Sequence, residues 1–343
     1  MTIIAVYNKK MVLTALSLAC LSLSMFLMLT VGTAAISLSD MAKTLVEGVV
    51  GMKFAEGVNP AYGTILYDIR WPRIALAVVT GSSLAVSGAC YQAMFNNPLG
   101  DPFILGVSSG AALGAAIAIV VQQSAYVSIF AFAGGVITMF LVYCLGQVGS
   151  RASSIDSNRL LLAGVAFGSL LNALLCAIMA LNTRQVTEIL FWLMGSLANP
   201  PETLYPVTLA VVIGLIFIFI HARDLDIITT GDENAQFLGV DIARVRITVL
   251  LGTALITSVV VSVTGVIGFI GLIVPHIIRK ICGPGHRVLL PLCAVWGAIF
   301  LLWADGITRM TPALSQIPVG VVTAMFGSPF FLYLLYLKGR NQG

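Results

Sequence analysis

The sequence predicts an all-α, polytopic membrane protein, and three observations carry that prediction. Of its 343 residues, 59% are hydrophobic and only 9% are charged, against roughly 25% charged in an average soluble domain. The mean hydropathy is +1.01. The charges are also bunched, leaving uncharged runs of about the ~20 residues that a bilayer-crossing helix requires. A water-soluble enzyme, a nucleic-acid binder and a disordered scaffold are excluded by this composition.

The uncharged runs give the elements in order. The first extends from Met11 to about Ala34. It lacks a clear small-residue cleavage site and exceeds a signal-peptide core, so it is expected to remain as the first helix. A second lies between Arg73 and Asp101. The gap from Asp101 to Arg151 accommodates two, broken near Gln122-Gln123-Ser124. Runs at 160–183 and 203–222 follow, then 247–278, 288–304 and 311–337. The run 247–278 is too long for one untilted helix, and Gly265, Gly268, Gly271 and Pro275 interrupt its second half. It counts as one span or as two, giving nine or ten in all.

Charge decides between these counts. The net charge of +4 arises from 18 Lys and Arg against 14 Asp and Glu, but their placement matters more than their sum. With ten spans and the N-terminus inside, Lys9, Lys10, Arg151, Arg159, Arg223, Arg244, Arg246, Arg279, Lys280, Arg287, Lys338 and Arg340 are cytoplasmic. Only Lys43, Lys53, Arg70, Arg73, Arg184 and Arg309 lie outside. Nine spans would place most of the positive charge outside, against the positive-inside rule. Ten spans with both termini cytoplasmic, in a single domain of residues 1–343, is the expectation.

Within the runs, Gly110-x-x-x-Gly114 and Gly164-x-x-x-Gly168 predict closely approaching helix backbones. The six cysteines lack metal-ligand spacing and read as small buried hydrophobes. The phosphate-loop pattern is absent, and so is H-E-x-x-H. His221, His276 and His286 are scattered and read as interfacial side chains. An ion-driven carrier places ionisable groups at mid-membrane. Here every acid falls at the end of a run or in a loop, with Asp101 and Asp305 coming closest.

The segment between the sixth and seventh spans, about 224–244, has the character of a lever. It contains Thr230-Gly231-Asp232-Glu233-Asn234-Ala235-Gln236-Phe237-Leu238-Gly239. Thr230 followed by Glu233 reads as a capping box, Asp232 and Glu233 suit the positive end of a helix, and Gly239 is a stop. A helix of about two turns is predicted, with Asp241 capping the next one.

Longer motifs are also present. They are Arg70-Trp71-Pro72-Arg73; Ser87-Gly88-Ala89 with Gln92 and Asn96-Asn97-Pro98-Leu99-Gly100-Asp101-Pro102; and Leu105-Gly106-Val107-Ser108. Arg159–Val165, Trp192-Leu193-Met194-Gly195-Ser196, the stretch 268–279, His286-Arg287, Ala304-Asp305 and 317–324 complete the set. Together they make the chain similar to the FecCD-like permease subunits of type II ABC importers, which take up ferric siderophores, haem or cobalamin. Trp71 stands where Leu is frequent in that family.

The resemblance implies ten helices and a permease dimer, of identical or paralogous chains. Two cytoplasmic ATPases would bind ATP and Mg, and a periplasmic or lipid-anchored binding protein would deliver cargo. The setting is a bacterial or archaeal inner membrane, with lipid around the chain. No catalytic residue, cofactor, metal site or nucleic-acid partner belongs to the chain itself. By the same resemblance, residues 230–239 couple to the ATPases, and Arg70, Arg73 and Arg309 dock the binding protein as exposed cations. Asn97 and Leu99, with Asp156 and Ser157, narrow the cytoplasmic mouth. A molybdate-like oxyanion cargo and, further off, an ion-coupled carrier are the alternatives.

Overall fold

Each of the ten uncharged runs folds as a helix in the computed structural model, which describes residues 2–34, 36–50, 59, 61–147 and 157–340. The chain begins with α1 (Thr2–Thr30) and α2 (Leu38–Val50). Next, α3 (Ala61–Thr64) passes through a π-helical stretch at Ile65–Arg70 into α4 (Trp71–Met94). Then come α5 (Val107–Val120), α6 (Val127–Gln147), α7 (Ser157–Leu181), α8 (Val186–Leu193) and α9 (Tyr205–Ile220). On the lever segment lie α10 (Ala222–Ile228) and α11 (Asp232–Phe237). Last are α12 (Ile242–Thr264), α13 (Ile270–Cys282), α14 (His286–Thr308) and α15 (Val319–Arg340). No strand occurs among the described residues.

Not all ten are full-length spans. Among the described residues, six helices are long and apolar enough to cross a membrane, and α9 passes that test only when counted together with α10 across a bend of 51°. The shorter ones have local causes. The α5 helix stops at 14 residues because Gln122 turns left-handed (φ 58°). Its N–H and that of Gln123 close back on Ile119 and Ala118, at 3.0 and 2.9 Å. The long 247–278 run divides at Gly265 (φ 69°) and Phe269 (φ 70°), leaving α13 with 13 residues. The predicted interruption by glycines is where the helix ends. The α2 helix has no counterpart among the uncharged runs. The Ser37 hydroxyl caps it by accepting from the Asp40 N–H at 3.1 Å.

The centre of the bundle is α4, buried almost continuously from Thr80 to Met94. Other helices enclose it, and Thr80, Ser82, Ser83, Ser87 and Gln92 are buried there among its apolar residues. Its partners approach at glycines. A Cβ on Gly81 would lie 2.3 Å from the Gly297 carbonyl oxygen of α14, and one on Gly88 would lie 2.0 Å from that of Gly271 on α13. Gly110 and Gly114 do the same for α5 against α6. Without water to drive apolar association, this backbone contact is a main source of helix adhesion. Polar stitches assist it. The indole N–H groups of Trp296 and Trp303 donate to Ser17 and Ser24 on α1, at 3.0 and 3.2 Å. Both pairs repeat at a seven-residue interval, so α1 lies along α14.

Candidate functional site

The α14 helix connects the two ends of the molecule where the residues expected to couple and to dock are found. Its 23 residues extend about 35 Å at ~1.5 Å per residue, close to the ~30 Å hydrocarbon thickness of a bilayer. At its N-terminal end, His286 is 2% exposed, with its Nδ1 2.6 Å from Asp226 Oδ1. Its backbone N–H donates to the same oxygen at 2.7 Å. This corrects the interfacial reading of His286, because the ring is enclosed and fixes α10 to α14. Burial works to raise the Asp226 pKa. The His286 hydrogen bonds and the charges of His286 and Arg287 outweigh it, so the carboxyl lies below its ordinary range.

From α10 the chain turns into α11, the lever predicted for 230–239. The capping box does not form. The Thr230 hydroxyl donates backward to the Ile227 carbonyl at 2.8 Å, and Gly231 (φ 107°) occupies the cap position. Glycine tolerates that backbone conformation, which leaves Thr230 one residue too early to cap. Asp232 instead accepts from Arg246 of α12 at 2.8 Å. Gly239 is the predicted stop (φ 79°), and the Val240 N–H reaches the Ala235 carbonyl at 3.1 Å in a Schellman turn. Asp241 caps α12 by accepting from the Arg244 N–H at 3.0 Å, as predicted. Ala235 faces inward, whereas Phe237 and Leu238 are 90% and 67% exposed. A large apolar pair thus projects from a helix tethered to α12 through Asp232 and Arg246.

At the opposite end of α14 are the three arginines. The structure corrects their expected exposure: Arg70 and Arg309 are 4% and 7% exposed. Arg73 donates through Nε and Nη2 to Asp305 Oδ1 at 2.9 and 2.7 Å. The Arg309 Nε lies 2.9 Å from Asp305 Oδ2, and Asp305 itself is fully buried. Arg70 donates to the carbonyls of Leu29 and Ala34. Desolvated cations require this coordination, which a count of loop charges does not reveal. Asp305 is the residue that brings Arg73 and Arg309 together.

Beside Arg73 opens a cavity of about 650 Å³. Glu188, Phe191 and Trp192 of α8, Asn199, the end of α12 and the turn at Gln316 line it. The motif around Trp192 marked this region, but no periodicity distinguished its cavity face.

The proposed lower gate is only partly visible. Asn97 and Leu99 sit on an exposed turn after α4, and the Asn97 side-chain oxygen accepts from the Leu99 N–H at 2.9 Å. Asp156 lies outside the described residues, and Ser157 is described only as the start of α7. Next to the turn, Asp101 is buried. Its pKa is pushed up to about 6 by that burial, against the hydrogen bond from the Phe103 N–H. No metal-ligating cluster occurs among the described residues.

The sequence matches the FecCD transport family over residues 20–337. It is 41% identical to the cobalamin import system permease protein of Halobacterium salinarum over 285 residues, covering 81% of this chain and 75% of that one. It is 39% identical to the hemin transport system permease protein of Yersinia pestis, covering 83% and 86%. A metal-chelate type ABC transporter solved in an inward-facing conformation superposes with a TM-score of 0.81 at 28% identity, over 94% of this chain and 98% of that one. The chain belongs to the FecCD transport family of membrane permeases.

Proposed function

We propose that this permease works as a dimer, preferably of identical chains, and forms the pathway through which an ABC importer takes up a bulky chelate. Two cytoplasmic ATPases would grip the 230–239 segment, and a binding protein would dock at the arginine end. In this reading all ten helices cross the membrane with both termini inside, so that α14 links an outer site to an inner one. The observation that carries it is this single helix, bonded to the lever segment through His286–Asp226 and to the arginines through Asp305. Relatives named for cobalamin and hemin favour a tetrapyrrole or related metal chelate over an oxyanion.

Phe237→Asp tests the inner contact. The side chain is 90% exposed, so the substitution leaves the fold intact. It is expected to abolish co-purification of the ATPase and ATP-driven uptake together. Unchanged uptake would remove α11 from the coupling role. Cargo is identified by mass spectrometry of ligand eluted from the cognate binding protein.

A further inference from the structure

An apolar groove of about 350 Å³ runs between α13, α14 and α15. Every residue in its wall is aliphatic or aromatic. Ile277 and Ile278 border it near the end of α13, Trp296, Trp303 and Ile307 border it along α14, and Phe326 contributes from α15. From Trp296 to Ile307 it follows α14 for about 16 Å at ~1.5 Å per residue, close to half the ~30 Å hydrocarbon core of a bilayer. The indole N–H groups of Trp296 and Trp303 are taken by Ser17 and Ser24 of α1, yet Trp303 remains 43% exposed. An apolar groove of this kind stays dry, so in a membrane it takes hydrocarbon.

The charge at one end says which hydrocarbon. Lys280 follows Ile277 by three residues and shares its face of α13. Lys10 precedes Ser17 by two helical turns, on the face of α1 that Trp296 meets. Its charge acts on Cys282, the last residue of α13. Both lysines are exposed, and neither has an ion-pair partner among the described residues. The neighbouring Arg279 is engaged, donating to the Gln92 side chain at 2.8 Å. Two unpaired ammonium groups at the end of a hydrocarbon groove match a lipid with an anionic headgroup. We propose that the groove holds an acyl chain of an anionic phospholipid, with its phosphate against Lys10 and Lys280. The chain fills the space between α14 and α15 and joins the two helices by dispersion.

The test places the full-length permease in phosphatidylcholine nanodiscs with rising fractions of phosphatidylglycerol brominated on its acyl chains. Bromine quenches indole fluorescence on contact. Of the four tryptophans, Trp71 and Trp192 are replaced by Phe, so that Trp296 and Trp303 alone report. Quenching is expected to saturate at a low phosphatidylglycerol fraction. Brominated phosphatidylcholine should need about tenfold more, the effect of two lysines beside a charged headgroup. Lys10→Gln with Lys280→Gln should bring the two lipids within about twofold of each other. Ile277→Trp, at a position 38% exposed, fills that end of the groove and keeps both charges. In native mass spectrometry it should lose the phosphatidylglycerol that the wild type retains. Linear quenching, or equal quenching of the wild type by the two lipids, overturns the site. So does phosphatidylglycerol retained in full by Ile277→Trp, which would leave surface attraction alone. Absence of quenching by either lipid overturns it too, and a dimer in the same preparation would then put a second copy over the groove.

Discussion

Replacing Asp305 with asparagine tests how the outer end is held together. The carboxylate is fully buried and joins Arg73 to Arg309. It accepts from Arg73 at 2.7 and 2.9 Å. Asparagine has nearly the same shape but no charge, leaving the arginines without a counter-ion in a desolvated region. Removing one partner of a buried ion pair costs about 3–5 kcal/mol, and here one acid serves two cations. Thermal unfolding in nanodiscs, followed by circular dichroism, should show a loss in that range with native helix content retained. Adding Arg309→Gln to the variant should cost less than the sum of the single changes, since it removes one uncompensated charge. A change below about 1 kcal/mol for Asp305→Asn would refute the reasoning, because water would then be screening the site.

Gly297→Leu drives a side chain into α4, where even a Cβ lies 2.3 Å from the Gly81 carbonyl. It is expected to cost at least about 3 kcal/mol or to prevent folding; wild-type stability would mean the helices can separate freely. The Asp101 carboxyl titrates near its ordinary 3.8 when unfolded and at about 6 when folded. Stability contributed here is therefore fully present below about pH 4, falls between pH 4 and 6, and is lowest above 6. Asp101→Asn retains the acceptor for the Phe103 N–H and should add roughly 2–3 kcal/mol at pH 8 but nothing at pH 4; destabilisation at pH 8 would reverse the argument. In a cysteine-free background, Gln123→Cys should be labelled from outside and Gln236→Cys from inside. Labelling of both from one side would break the ten-span topology.

Much of the fold was legible because a membrane chain displays its spans as uncharged runs. The break at Gln122–Ser124 and the division of 247–278 were written in polar and glycine residues, and both appear as left-handed turns. Helix lengths were less legible. Charge gaps bound an apolar run but not its hydrogen bonding, so α5 and α13 came out short, and α8 (Val186–Leu193) had no uncharged run to mark it. At the lever, Gly239 and Asp241 behaved as their chemistry requires. Thr230 did not, since Gly231 offered the chain a tighter entry and Arg246 claimed Asp232. The arginines illustrate the main gap between sequence and site. A loop position implied exposure, whereas Arg73 meets a carboxylate 232 residues away and Arg70 the carbonyls of Leu29 and Ala34, and sequence spacing carries no trace of either pairing.

Reconstitution shows whether the permease draws its energy from a separate ATPase. Proteoliposomes containing the permease, its ATPase and its binding protein should accumulate labelled chelate only when ATP is present on the ATPase side. Uphill accumulation by the permease alone, driven by a proton or sodium gradient, would make it an ion-coupled carrier.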